Sequence, residues 1–251
     1  VKDSKSKSPE KGSPVHSGGR EVSSLFTVEE NGLTYGIRFD AGYSVGLFPD
    51  QRQNRARLLR NDSGLGDRIT PKPSDPSTLP ILNLFSYTCS FSVCAASIGW
   101  RTFNVDLSRN YLNWGRENFR LNGLDPDSHE FIFGDASDWL GRFGRKKLLF
   151  SLIVLDPPTF SRARKKGHHQ VRKGYPELVS LCLNVLKPGG ILLACSNAAE
   201  WEPTSFVEAV QTAITDAGRK STGSRFFGQP PDYHSTRNEP ANLKTLWVRV
   251  D

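Results

Sequence analysis

An acid, two prolines and an aromatic, Asp156-Pro157-Pro158-Thr159-Phe160, follow the apolar run Leu152-Ile153-Val154-Leu155. Two prolines remove backbone donors and stiffen the turn, so the carboxylate and the main-chain carbonyls stay aimed at one spot. Phe160 then offers a face on which a planar base can stack, or it fills a core. Two further carboxylates end strand-like runs: Asp106, 21 positions after Phe85, and Asp135 in Gly134-Asp135-Ala136. A carboxylate in the first position can accept from the two vicinal hydroxyls of a ribose. Asp135 either accepts from an adenine amino group or caps the helix after it. The segment Phe85-Ser86-Tyr87-Thr88-Cys89-Ser90 is hydroxylic and opens a helix whose first amides can hold a charged group. It contains no GxGxxG, so a nicotinamide-type fingerprint is excluded.

Directly after Phe160 come Arg162, Arg164, Lys165, Lys166, His168, His169, Arg172 and Lys173 without one acid. Such a loop, unless it is merely a solvated charge run, grips phosphates and gives nucleic-acid affinity that falls with salt. The chain as a whole carries 33 Lys and Arg against 26 Asp and Glu, a net charge of +7, which permits a polyanionic partner. His168 and His169 lack companions at metal-ligand spacing, so no metal is expected.

These side chains need elements that bring their turns to one edge. From Ile81 onward apolar strand-like runs at 81–85, 102–105, 130–133, 149–155 and 191–195 alternate with helical segments at 91–98, 109–121, 136–143, 175–186 and 204–217. That order is the signature of an α/β fold with a parallel sheet, whose strand tips form a ligand crevice. Pro176 suits a first helical turn, Lys187-Pro188-Gly189-Gly190 stops that helix, and residues 243–250 read as a strand closing the sheet edge. Upstream, 25–28 and 33–39 flank Asn31-Gly32, a dipeptide suited to a tight hairpin turn, and Asp50 is expected to cap a helix over 51–60. The chain thus divides into a disordered basic tail with almost no apolar content (1–20), a β-hairpin and helix appendage (21–60), a Pro/Ser/Asp/Gly-rich linker (61–80) and the main domain (81–251).

A chain of 251 residues with 37% hydrophobic content buries a real core and excludes disordered, fibrous and multi-domain architectures. No stretch approaches the roughly eighteen apolar residues that span a membrane. Cys89, Cys94, Cys182 and Cys195 are scattered, which favours a reducing compartment: the cytoplasm, or an organelle if a targeting segment precedes Val1. Methionine is absent and the chain begins at Val1, which suggests a fragment, a processed product or missing residues.

Four motifs in order resemble class I S-adenosylmethionine-dependent methyltransferases of the bacterial-type 23S ribosomal RNA base-modifying group. They are Gly46-Leu47-Phe48-Pro49-Asp50-Gln51-Arg52, Asn83-Leu84-Phe85-Ser86-Tyr87-Thr88, Val105-Asp106-Leu107-Ser108 and Asp156-Pro157-Pro158-Thr159-Phe160. The resemblance implies a Rossmann-like, doubly wound, mostly parallel seven-stranded sheet with a small N-terminal β appendage. It implies S-adenosylmethionine as cofactor, held by Asp50, Gln51, Arg52, Phe85, Ser86, Tyr87, Thr88, Asp106, Leu107, Ser108, Asp135, Ala136 and Asp156. The partner it implies is RNA, ribosomal RNA above all, gripped by Arg162, Arg164, Lys165, Lys166, Arg172 and Lys173.

Two positions depart from the family. Cys89 stands where a glycine is usual. In the 5-methylcytosine branch a nucleophilic cysteine stands where this chain has Asn197, whereas Cys195 lies two residues earlier, roughly 7 Å back along a strand. Covalent cytosine chemistry is therefore disfavoured, and Cys195 reads as a buried strand residue. The remaining route is direct displacement by a base nitrogen, as in the guanine-N7 branch, with Asp156, Pro157, Pro158, Phe160 and Asn197 positioning the base. The competing readings are a small-molecule methyltransferase and a non-catalytic RNA- and cofactor-binding assembly factor.

Overall fold

A computed structural model describes residues 25–39, 44–70, 74–75, 78–158, 169–233 and 241–251. Leu25–Glu30 (β1) and Leu33–Arg38 (β2) form an antiparallel hairpin, with Asn31 at φ 54° and Gly32 at φ 76° supplying the two left-handed residues of its turn. The remaining strands make one seven-stranded sheet: Ile81–Leu84 (β3), Thr102–Asp106 (β4), Glu130–Phe133 (β5), Phe150–Leu155 (β6), Leu186–Ser196 (β7), Ser221–Phe227 (β8) and Lys244–Val250 (β9). Their spatial order is β5-β4-β3-β6-β7-β9-β8. Strands β3 to β7 are parallel, and β9 runs antiparallel to both β7 and β8. The order reverses at β3, which pairs with β4 on one side and β6 on the other. That reversal opens the crevice beyond the strand tips.

Helices cover both faces. Ala136–Arg145 (α4), His169–Leu183 (α5) and Pro203–Asp216 (α6) pack with Leu82, Val105, Ile153, Leu155 and Leu192. Arg52–Leu59 (α1), Ser90–Ser97 (α2), Arg109–Leu121 (α3) and the hairpin pack with Ile81, Leu152, Val154, Leu193 and Trp247. Neighbouring residues of one strand thus feed opposite cores, as the period of two requires. The hairpin joins this core through Leu33, Tyr35 and Ile37. Its outer edge is satisfied by side chains of α3. Asn118 accepts from Gly36 N (2.9 Å), Asn122 accepts from Thr34 N (2.8 Å) and donates to Thr34 O (2.7 Å), and the Trp114 indole donates to Gly36 O (3.1 Å). The buried guanidinium of Arg55 clamps α1 to β1 through both Glu30 oxygens at 2.7 Å. Residues 61–70 pack rather than dangle: Asn61 pairs with Thr70 through both amide atoms, and Asp67 pairs with Arg249.

Several expectations are corrected. The last strand is not the sheet edge: β9 is buried on both sides between β7 and β8. The edge strand, β8, escaped sequence reading because Ser221-Thr222-Gly223-Ser224-Arg225 is mostly exposed and lacks apolar alternation. Asp50 does not cap α1. It lies in a 3-10 turn, Pro49–Gln51, that leads into the helix, and Gln51 takes the N-cap place without a side-chain bond. Pro176 sits inside α5 rather than in its first turn. That helix ends at Leu183, and Lys187–Gly190 belongs to a bulged start of β7. Among the described residues, no helix is long and apolar enough to cross a membrane, and no cluster of three or more His, Cys, Asp or Glu could hold a metal ion.

Candidate active site

Parallel register sets the site. Leu84 lies beside Val105 and Leu155, and Leu155 beside Ala194, so Phe85, Asp106, Asp156 and Asn197 emerge at one edge of the sheet. Phe85, Tyr87 and Cys89 have φ of 56°, 49° and 61°, left-handed values that cost side-chain-bearing residues energy and persist only where surroundings fix them. Here the surroundings do so. Ser86 N donates to Val105 O (3.0 Å), Tyr87 N to Asp106 Oδ2 (2.8 Å), Thr88 Oγ1 to Gly46 O (2.6 Å) and Asn118 Nδ2 to Thr88 O (2.9 Å). Asn118 therefore joins hairpin, α3 and loop in one side chain. Gly46 is needed for its part: its φ is 117°, and a Cβ there would fall 2.4 Å from Trp114 and 2.8 Å from Gly36 O.

Asp106 Oδ1 accepts from Ser108 N (2.8 Å), so each carboxylate oxygen holds one backbone N–H and keeps further acceptor capacity. Burial raises its carboxyl above the usual range, and the backbone donors pull it back. Leu107 and Phe133 flank it and are 53% and 45% exposed, an apolar surface at the crevice lip. Asp135 Oδ1 accepts from Ser137 N (2.8 Å) and Asp138 N (3.2 Å), the plain N-cap of α4, and Ala136 is buried beneath it. The other half of the crevice gathers Asp50, Gln51, Asp156 and Asn197. Gln51 Nε2 donates to Asp156 Oδ2 (2.9 Å), and Asn197 Nδ2 reaches Asp50 Oδ2 (3.4 Å). Burial foremost, and the Asp50 charge second, push the Asp156 carboxyl up to about 7. Asp50 is also raised by burial, and its Oδ1 is buried without a hydrogen-bond partner among the described residues.

Arg52 pairs with Asp232 in the segment after β8, next to Tyr233, whose hydroxyl feels the charges of both Asp50 and Arg52. Phe160, Arg162, Arg164, Lys165 and Lys166 lie outside the described residues, as do the side chains of Arg172 and Lys173 in α5. Pro157 and Pro158 follow Asp156 at the lip. Cys195 is fully buried, which raises its thiol well above the ordinary value and withholds the thiolate that a nucleophile needs.

The arrangement fits an adenosine bearing a cation: acceptor capacity at Asp106 for a diol, exposed Leu107 and Phe133 for a purine, and the unpartnered Asp50 oxygen beside Asp156 for positive charge. Residues 13–249 match the S-adenosylmethionine-dependent methyltransferase family. The chain belongs to that family.

Among its relatives, the chain is 33% identical over 215 residues to ribosomal RNA large subunit methyltransferase K/L of a Psychrobacter species, a match covering 84% of this chain and 24% of that protein. It is 33% identical over 226 residues to ribosomal RNA large subunit methyltransferase I of Aeromonas salmonicida, covering 89% of this chain and 53% of the relative. The chain thus spans about a quarter and about half the length of these two relatives. A solved methyltransferase structure complexed with SAH superposes at a TM-score of 0.79 with 28% identity, over 93% of this chain and 58% of the other.

The left-handed Cys89 is accommodated by Gly115 on α3, where a Cβ would sit 2.5 Å from the Cys89 sulfur and 3.0 Å from its Cβ. Sequence reading missed Gly115 because nothing local marks a partner 26 positions away. Gly115→Ala is expected to cost about 1–3 kcal/mol of unfolding free energy by overpacking. Cys89→Gly removes both clashing atoms and suits the left-handed backbone, so the double variant is expected to recover most of the loss in chemical denaturation. Simple addition of the two effects would contradict the contact.

Proposed function

We propose that this methyltransferase modifies a base nitrogen in ribosomal RNA, of the guanine-N7 type, by direct displacement without a cysteine nucleophile. The observation that carries the reading is the cluster of Asp50, Gln51, Asp156 and Asn197 at the tips of β6 and β7, with the neighbouring Cys195 sealed in the core. The relatives' names support a ribosomal RNA substrate. S-adenosylmethionine, when bound, supplies a methyl group made electrophilic by its sulfonium.

The chain's own work is positional. Asp106 and the loop from Phe85 to Thr88 bind and orient the adenosine, with Asp135 at its rim. Asp156 accepts from an N–H of the target base, and Asn197 hydrogen-bonds the base edge. Pro157 and Pro158 keep that carboxylate from swinging away, and Phe160 stacks on the base. A ring nitrogen that already carries a lone pair needs no general base to attack, so a carboxylate that only orients suffices. Arg162, Arg164, Lys165, Lys166, Arg172 and Lys173 hold the RNA backbone.

Incubating large-subunit RNA with the protein and isotope-labelled S-adenosylmethionine, then digesting to nucleosides, is expected to place the label in methylated guanosine by mass spectrometry. Label in methylcytidine would contradict the mechanism. Exchanging Arg162, Arg164, Lys165 and Lys166 together for alanine is expected to lower the slope of log affinity against log salt by up to about four, near one per lost phosphate contact. An unchanged slope would remove that loop from the RNA surface.

A further inference from the structure

The hydrogen bond that Gln51 gives Asp156 is the end of a longer chain of side chains. Gln51 Oε1 accepts from Asn54 Nδ2 (2.7 Å), and Asn54 Oδ1 accepts from the Trp247 indole Nε1 (3.0 Å). Gln51, Asn54 and Trp247 are 1%, 2% and 0% exposed. An amide can be turned over, exchanging its oxygen and nitrogen, so Gln51 alone could present either an acceptor or a donor to Asp156. The indole cannot: it only donates. It fixes the Asn54 oxygen toward itself, which aims the Asn54 NH2 at Gln51 and so turns the Gln51 NH2 onto Asp156. Reversing any member would set two like atoms face to face where no water competes.

We propose that Trp247 is a positioning residue, acting through Asn54 and Gln51 to hold an N–H on the Asp156 carboxylate and keep it turned into the site as an acceptor. This rests on the reading of Asp156 as the acid of the site. Trp247 lies in β9, where Leu193 of β7 and Arg225 of β8 flank it in register, and its ring belongs to the core shared with Leu58 of α1. The link therefore runs from β9, one strand in from the sheet edge, through α1 and its leading turn, to the tip of β6. The other ionisable groups that act on Asp156, among the described residues, are Asp50 in the same turn, Arg55 on α1, Tyr175 on α5 and Cys195 on β7. Asp50 disfavours its charge and Arg55 favours it, while the Tyr175 hydroxyl is engaged with Cys195 O (3.0 Å).

The test is the Asp156 titration midpoint, read by NMR of carboxyl-labelled protein without cofactor or RNA. Trp247→Phe keeps an aromatic ring but removes the indole N–H together with the five-membered ring that carries it, and is expected to raise the midpoint by about 0.5–1 pH unit as the Gln51 donor is lost from part of the population. Gln51→Met is expected to raise it at least as far. Asn54→Leu interrupts the middle of the chain and provides the same readout should the Trp247 variant not fold. A rise in Gln51→Met alone would make Trp247 and Asn54 packing residues and overturn the proposal, as would a midpoint unmoved in every variant. Because no substrate is present, failure to methylate RNA would leave this result standing.

Discussion

Asp156→Asn is expected to lower methyl transfer by about 10²–10³-fold while changing S-adenosylhomocysteine affinity much less. Removing one preorganised electrostatic group from a water-poor site has effects of this size. The asparagine keeps the shape and can still accept from Gln51 through its oxygen, but it loses the charge that orients an N–H of the base. The pH dependence follows from burial, which with Asp50 holds the Asp156 carboxyl near 7 against an ordinary 3.8. The accepting, ionised form therefore accumulates as pH rises through about 7, and the rate of the wild-type protein should rise with it. Stability runs the other way. The folded carboxyl binds its proton more tightly than the unfolded one, so its favourable contribution is complete below about 4 and is lost as pH rises toward 7. The substituted asparagine cannot ionise, so the Tm of the variant minus that of wild type should grow between about pH 4 and about pH 7. A difference that is flat or shrinks across this window would show that Asp156 is not strained by ionisation.

Asp106→Ala is expected to weaken S-adenosylhomocysteine binding by about 1–3 kcal/mol, a rise in Kd of about 5- to 150-fold by calorimetry. Two effects add. The free lone pairs that would receive the ribose hydroxyls disappear, and Tyr87 N and Ser108 N lose the acceptors that hold the left-handed loop in place. Asp106→Asn is expected to fall between wild type and alanine: one amide oxygen still serves one backbone N–H and one hydroxyl, while the NH2 faces the other donor and defeats it. An unchanged Kd in the alanine variant would contradict the ribose assignment.

The legible part of this protein was the part written in local pattern. Apolar runs punctuated by acids placed Asp106, Asp135 and Asp156 at strand tips, because in a parallel sheet the residue after a buried run must leave at the same edge as its neighbours. The Asn31-Gly32 turn was legible for the same reason, since its backbone geometry needs those residue types. What stayed hidden depends on partners far apart in the chain. Asp50 looked like a helix cap because Asp before a helical run usually is one; the 3-10 turn instead carries it to Asn197, 147 residues away in the chain. Asn54 and Trp247 lie 193 residues apart, and each alone reads as an ordinary core position. The strand at Ser221–Phe227 was invisible because an edge strand with one solvated side carries little apolar signal, whereas Lys244–Val250 is apolar enough to read as a strand, although its place inside the sheet depends on the hidden β8 beside it.

A crystal structure of the protein with S-adenosylhomocysteine bound would decide whether the crevice beyond the strand tips holds the cofactor as described. The ribose hydroxyls are expected on the Asp106 carboxylate, the purine between Leu107 and Phe133, and the sulfur turned toward the side of the crevice that holds Asp50, Asp156 and Asn197. A ligand whose ribose leaves Asp106 untouched, or whose sulfur faces away from Asp156, would contradict this placement.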